Sequence, residues 1–278
     1  MSAAGSVKQG RVLIIAGSDS GGGAGIQADI KAVTALGGYA MTAITALTAQ
    51  DTRTVHAIHD VPAEFIALQL RVVLQDLGAD AIKTGMLHRA DIIEAVVEAL
   101  EKYAPDVPLV VDPVMVAKGG ASLLQPSAAK TLRTKLIPRA TIITPNLPEA
   151  EVLSGLKVTE ESDMAPATDR LLQLGPGAVL LKGGHLPGDA LVDLLRDARG
   201  AQRYSDTRID TTSTHGTGCT LASAIAAGLA FGLDLREAVT QARTYVRKAI
   251  ETAPGFGHGH GPLNHAHTVT RKASAARL

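Results

Sequence analysis

The chain has 278 residues, with 27 Lys plus Arg against 27 Asp plus Glu, so with histidine neutral its formal charge is zero. Such a chain has no general field for gathering nucleic acid or an anionic membrane, which leaves small or locally recognised partners. Glycine is frequent at 28 residues, aromatics make up only 3% and Trp is absent, a composition of tight turns and aliphatic packing that excludes disordered and collagen-like chains.

Cys219 is the only cysteine, so an internal disulfide framework and a zinc site of several thiolates are excluded. The first ten residues lack the apolar run of a signal peptide, and no stretch reaches the ~18 apolar residues of a membrane span. The expected location is therefore the cytoplasm.

Short aliphatic runs alternate with stretches of helical period. Val12–Ala16 reads as a strand, and Ile26, Ile30 and Val33 place apolar groups on one face of a helix that ends at Gly37-Gly38. Met41–Ala49 is a strand, Pro62–Leu77 a helix, Ala81–Thr84 a strand and Ala90–Tyr103 a helix. Leu109–Val111, Thr141–Thr144 and Ala178–Lys182 are strands, Asp189–Asp210 suits antiparallel edge strands, and Cys219–Phe231 and Leu235–Ile250 are closing helices. Strands without polar alternation point to a mostly parallel sheet covered by helices on both faces. No linker or repeat divides the chain, so a flexible stretch 1–10, one domain over 11–263 and a surface tail over 264–278 are expected.

In an open parallel α/β sheet, ligands bind at the carboxyl ends of the strands. Those ends read Gly17-Ser18-Asp19, Lys83-Thr84-Gly85, Asp112-Pro113, Thr144-Pro145-Asn146 and Lys182-Gly183-Gly184. Ser213 to Cys219 precedes a helix, so the free N–H groups of Gly216, Thr217, Gly218 and Cys219 form an anion site suited to phosphate. At that helix start a thiol's pKa is lowered, which fits Cys219 as a base; a buried, inert cysteine is the plain alternative. Asn146 and Glu149 have the spacing of a capping box, and equally of oxygen ligands for Mg²⁺ that Asp112 can share. Lys182 suits a phosphate as a point charge, or snorkels from its strand. His258, His260, His265 and His267 lie in loop-like sequence with no cysteine or carboxylate among them. Gly23, Gly25 and Ala28 form a GxGxxA pattern, but five residues separate it from Gly17 at the strand's end.

Read together, these blocks resemble the ribokinase-like small-molecule kinases, and within them the hydroxymethylpyrimidine/phosphomethylpyrimidine kinases of thiamine biosynthesis. The resemblance rests on Ala16 to Asp29, Thr45 to Gln50, Lys83 to Leu87, Asp112 to Met115, Thr144 to Ala150, Lys182 to His185 and His215 to Cys219, in order across about residues 11–263. It implies transfer of the ATP γ-phosphoryl to 4-amino-5-hydroxymethyl-2-methylpyrimidine and then to the monophosphate, with Mg²⁺. By motif, Asp29 and Gln50 would recognise the aminopyrimidine, with Gly17 and Met86 lining its pocket. Lys182, Asn146 and Thr217 would meet the nucleotide and its phosphates, Gly216, Thr217 and Gly218 would form the anion hole, and Cys219 would stand where most relatives have an aspartate base. A homodimer is implied too. The competing readings are a pyridoxal or pyridoxine kinase of the same fold, an NAD-dependent oxidoreductase built on the GxGxxA pattern with Gln50-Asp51, and a non-catalytic pyrimidine-binding protein.

Overall fold

The computed structural model describes residues 9–117, 120 and 123–269. Its strands are β1 (Arg11–Asp19), β2 (Tyr39–Gln50), β3 (Val55–Asp60), β4 (Ala81–Thr84), β5 (Leu109–Val111), β6 (Ile142–Ile143), β7 (Val179–Lys182), β8 (Ala190–Asp197) and β9 (Gly200–Thr207). The α-helices are α1 (Gly25–Ala35), α2 (Ala63–Asp76), α3 (Ala90–Tyr103), α4 (Pro126–Thr131), α5 (Leu147–Ser154), α6 (Glu161–Leu172), α7 (Thr217–Ala230) and α8 (Leu235–Glu251).

The strands form one sheet in the order β3-β2-β1-β4-β5-β6-β7-β8-β9. From β2 to β7 the pairing is parallel, while β3 and the β8–β9 hairpin close the edges antiparallel. Successive side chains of a strand point to opposite faces. Leu13, Ile15, Ile82, Val111, Ile143 and Leu181 therefore pack on the face covered by α2, α3, α4, α5 and α6. Val12, Ile14, Ala16, Val110, Ile142 and Leu180 pack on the face covered by α1, α7 and α8. This is the mostly parallel, doubly covered sheet expected. The chain leaves β1 on one side for β2 and returns on the other as β4, so the strand order reverses there, and a crevice opens at the carboxyl ends of β1 and β4.

Three elements differ from expectation. β3 runs as Val-His-Ala-Ile-His-Asp with half of its residues exposed, so it lacks the apolar run that marks the inner strands. α6 continues through Pro166, a residue that ordinarily breaks a helix because it has no N–H. Of the surface tail expected over 264–278, residues 270–278 lie outside the described residues; in the rest His265 is buried and residues 265–268 form a 3₁₀ turn against α8 and α1. Of the glycine-rich stretch Lys118-Gly119-Gly120, Lys118 and Gly119 lie outside the described residues.

Candidate active site

The ends of β1, β2, β4, β5, β6 and β7 meet the start of α7 in one cavity of about 660 Å³. Gly17, Gln50, Met86, Asp112, Asn146, Glu149, Lys182 and Gly216 to Cys219 all line it. One end lies at the switch between β1 and β4. There a Cβ on Gly17 would sit 2.7 Å from Met86 Cε, so glycine leaves just the room that the methionine fills. The other end lies under β9 and α8, with Leu191, Val246 and Ile250 beside Arg208 and Arg247.

Between the two ends stands α7. Its N-cap, Gly216, has φ +77° and no side chain to cap the helix, and a Cβ there would collide with the carbonyl of Gly23. The N–H groups of Gly218 and Cys219 have no acceptor within the described residues. Over Gly218 lies the Lys182–Asp112 pair, with Nζ to Oδ1 at 3.1 Å, and Thr144 Oγ1 donates to the same Oδ1 at 3.1 Å. Burial opposes the Lys182 charge, but Asp112 and Glu149 outweigh it and raise its pKa. Anion-binding amides, a fixed ammonium and the positive end of a helix dipole thus converge on one point.

Asn146 and Glu149 do form the capping box: Asn146 Oδ1 accepts from the Glu149 N–H at 2.9 Å, and Glu149 Oε2 accepts from the Asn146 N–H at 2.8 Å. Capping leaves Glu149 buried at the cavity wall. Burial pushes its carboxyl up to about 7, opposed by Lys182 and reinforced by Asp112.

Two expectations are corrected by the geometry. Asp29 does not line the cavity. It is fully buried in α1, where Lys83 Nζ donates to both of its oxygens at 2.8 and 3.0 Å and Ser223 Oγ donates to Oδ1 at 2.7 Å. Its carboxylate is spent behind the wall on the ammonium of Lys83, which is itself fully buried. Nor is the Cys219 thiol lowered by the helix start: burial pushes it up to about 12, with Lys83 opposing and Asp29 and Asp112 adding to the rise.

Three residues received no role from the sequence. Asp19, buried at the end of β1, accepts from the N–H groups of Gly21, Gly23 and Ala24 at 2.8, 3.0 and 2.8 Å. Two of those amides, Gly23 and Ala24, belong to the GxGxxA pattern, and their use by Asp19 counts against the dinucleotide reading. Asp19 Oδ2 also lies 2.9 Å from His215 Nε2, which is 3.4 Å from Gln50 Nε2. His215 lowers the Asp19 pKa against the opposing effect of burial. No local pattern joins positions 19 and 215. The third residue, Lys83, did carry a signal, since a lysine inside a strand buried on both faces requires a carboxylate partner.

The family model for phosphomethylpyrimidine kinase matches residues 19–264. The chain is 47% identical over 256 residues to a hydroxymethylpyrimidine/phosphomethylpyrimidine kinase of Bacillus subtilis, covering 92% of this chain and 94% of that one. It is 52% identical over 257 residues to the thiamine biosynthesis bifunctional protein ThiED of Geobacter sulfurreducens, covering 92% of this chain but only 52% of that longer protein. Among solved structures, phosphomethylpyrimidine kinase from Clostridium difficile superposes with a TM-score of 0.78 at 46% identity, covering 87% of this chain and 100% of that one. Pyridoxal kinase from Bacillus subtilis, in an ADP complex, superposes at 0.86 with 37% identity, covering 93% and 98%. A family model matching residues 19–264, with relatives at this identity over nearly their whole length, shows that the chain belongs to the phosphomethylpyrimidine kinase family.

Proposed function

We propose that this kinase transfers the γ-phosphoryl of ATP to the hydroxymethyl group of 4-amino-5-hydroxymethyl-2-methylpyrimidine, and then phosphorylates the monophosphate to the diphosphate. The observation that carries the reading is the unpartnered Gly218 and Cys219 amides beside Lys182, set between two ends of one cavity. The end at Gly17, Met86 and Gln50 suits a flat polar ring, and the end at Leu191, Val246 and Ile250 suits a nucleoside. Phosphoryl transfer needs positioning and charge neutralisation more than covalent help, and the start of α7 with Lys182 supplies both.

The donor set fits Mg²⁺, which binds through one or two carboxylates and keeps several waters. Asp112 turns its oxygens toward Gly218 and Glu149 stands near enough to raise its own pKa through Asp112, so these two would hold the ion, which would neutralise charge on the phosphates. In the first transfer the alcohol oxygen bonds to the γ-phosphorus, the bond to the ADP oxygen breaks and the alcohol proton must leave. Cys219 accepts that proton as a thiolate. Because burial pushes its thiol up to about 12, the thiolate fraction grows with pH across the neutral and alkaline range. The second acceptor, a phosphate with second pKa about 6, is already a dianion above neutrality and needs no base.

The test is ³¹P NMR with Mg-ATP and the hydroxymethylpyrimidine, with pyridoxal in a parallel tube. A monophosphate signal followed by a diphosphate is expected, the first step accelerating from pH 7 to 9 and Cys219→Ser slowing it more than the second. Equal loss in both steps removes Cys219 as base, and transfer to pyridoxal alone removes the substrate assignment. Pyridoxal kinases superpose closely, yet the higher identity lies with the phosphomethylpyrimidine kinases, and side chains, not the backbone trace, choose the ring.

The reading includes a homodimer in the ATP-containing cytoplasm. The exposed Phe65, Leu68 and Val72, spaced along one face of α2, support the dimer, and light scattering that returns a monomer at micromolar concentration removes it. Among the described residues no helix is long and apolar enough to cross a membrane.

A further inference from the structure

The glycine- and histidine-rich stretch after α8 is unused by the mechanism above, yet it runs beside the site. Its first part is fastened to the loop between β2 and β3, just past Gln50: the His260 N–H donates to the Thr52 carbonyl at 2.7 Å, and the Gly259 N–H to Thr52 Oγ1 at 3.1 Å. Next, the Gly261 carbonyl accepts from the His215 N–H at 3.0 Å, one residue before the N-cap of α7, and His215 forms a bridge with Pro262. Four residues after Gly261, His265 Nε2 lies 3.0 Å from Thr220 Oγ1, whose hydroxyl donates to the carbonyl of Gly216 at 2.8 Å. The segment thus touches α7 on both sides of the anion hole.

His265 is itself held from behind. The Tyr245 hydroxyl donates to the His265 carbonyl at 3.0 Å, and the His267 ring packs against Tyr245 at a tilt of 39° with centroids 4.7 Å apart. The imidazole is buried. Burial, with lesser effects of neighbouring cations, lowers its pKa to about 4, so it is a neutral ring at working pH. The contact of its Nε2 with Thr220 Oγ1, and of that hydroxyl with the Gly216 carbonyl, forms a chain from the strap to the N-cap.

We propose that Gly261–His265 is a positioning strap for phosphoryl transfer: through Gly261 on His215 and His265 on Thr220 it fixes the N-cap Gly216, and hence the aim of the Gly218 and Cys219 amides. Gly216 has no side chain with which to hold itself and sits in the left-handed region, so its orientation is set by its neighbours. His265 and Thr220 touch no reacting atom and act through Gly216. Hydrogen-bond donors that stabilise a transferring group lose effect with small changes in aim. The inference rests on the kinase reading and deepens it.

Thr220→Val removes the hydroxyl at nearly constant shape, Thr220→Ser keeps it, and His265→Phe keeps the ring's bulk without its nitrogen. The measurements are kcat and KM for each substrate by ADP release, together with the ¹⁵N–¹H shift of the Gly218 amide on adding AMP-PCP. The strap predicts that Thr220→Val and His265→Phe each lower kcat about tenfold with KM for the pyrimidine within twofold. Thr220→Ser should retain wild-type kcat, and the double variant should lose no more than the worse single one. The Gly218 shift change should shrink in both single variants. Undiminished kcat and Gly218 response in Thr220→Val and His265→Phe overturn the strap, as does an additive loss in the double variant. A wild-type chain that transfers no phosphoryl group fails the kinase reading instead, and the Gly218 response to AMP-PCP then still tests the strap.

Discussion

Glu149 combines a structural hydrogen bond with a costly charge. Its Oε2 serves the capping box of α5 while burial pushes its carboxyl from 4.5 to about 7. The folded protein therefore keeps a proton that the unfolded chain releases, and this group's contribution to stability falls as pH rises from about 4.5 through 7. Glu149→Gln keeps an oxygen for the Asn146 N–H and removes the charge. It should be more stable than the parent at pH 8, by at most on the order of 3 kcal/mol, an advantage that fades below about pH 5, while kinase activity collapses. Thermal melts at both pH values check this, and an equal Tm difference at pH 5 and pH 8 would contradict it. Cys219 teaches a related lesson at the same scale: the pull of a helix start on a thiol is real, but among Asp29 and Asp112 in a closed site burial wins.

Lys83 of β4, Asp29 of α1 and Ser223 of α7 join three elements at one point with no exposed atom on the ion pair. Burial opposes the Lys83 charge, and Asp29, Cys219 and Asp112 together outweigh it. Breaking a buried pair from one side strands a charge and costs about 3–5 kcal/mol, whereas replacing both partners by apolar groups is far cheaper. Lys83→Met alone should therefore shift the urea midpoint down sharply, and Asp29→Leu with Lys83→Met should recover most of the loss; additive losses would show that the two do not act as a pair. At this scale the sequence was legible wherever burial was symmetrical. The inner strands announce themselves as uninterrupted aliphatic runs because both faces are covered, and α8 does so by its apolar stripe. β3 does not, since an edge strand is half wet, and α6 does not, because Pro166 contributes a breaker signal that packing of Met164, Ala167 and Leu171 overrides.

Across the whole molecule, the reversal of strand order at β1 and β4 gathers loops from distant parts of the chain into one cavity. Residues at or just past the carboxyl end of a strand, such as Gly17, Asp112, Asn146 and Lys182, could be placed from sequence because topology alone assigns their edge. Contacts between elements could not: Asp19 and His215 are 196 positions apart, and Thr220 and His265 are 45 apart. Those contacts also limit how such an enzyme can change over generations. The Gly216 N-cap leans on the carbonyl of Gly23, and Asp19 ties that same loop to His215, so the ring-binding and phosphate-binding loops are inherited as a single piece. In a lineage drifting toward a different ring, a change at Gly23 or Gly216 is tolerated only alongside a compensating change in the other loop.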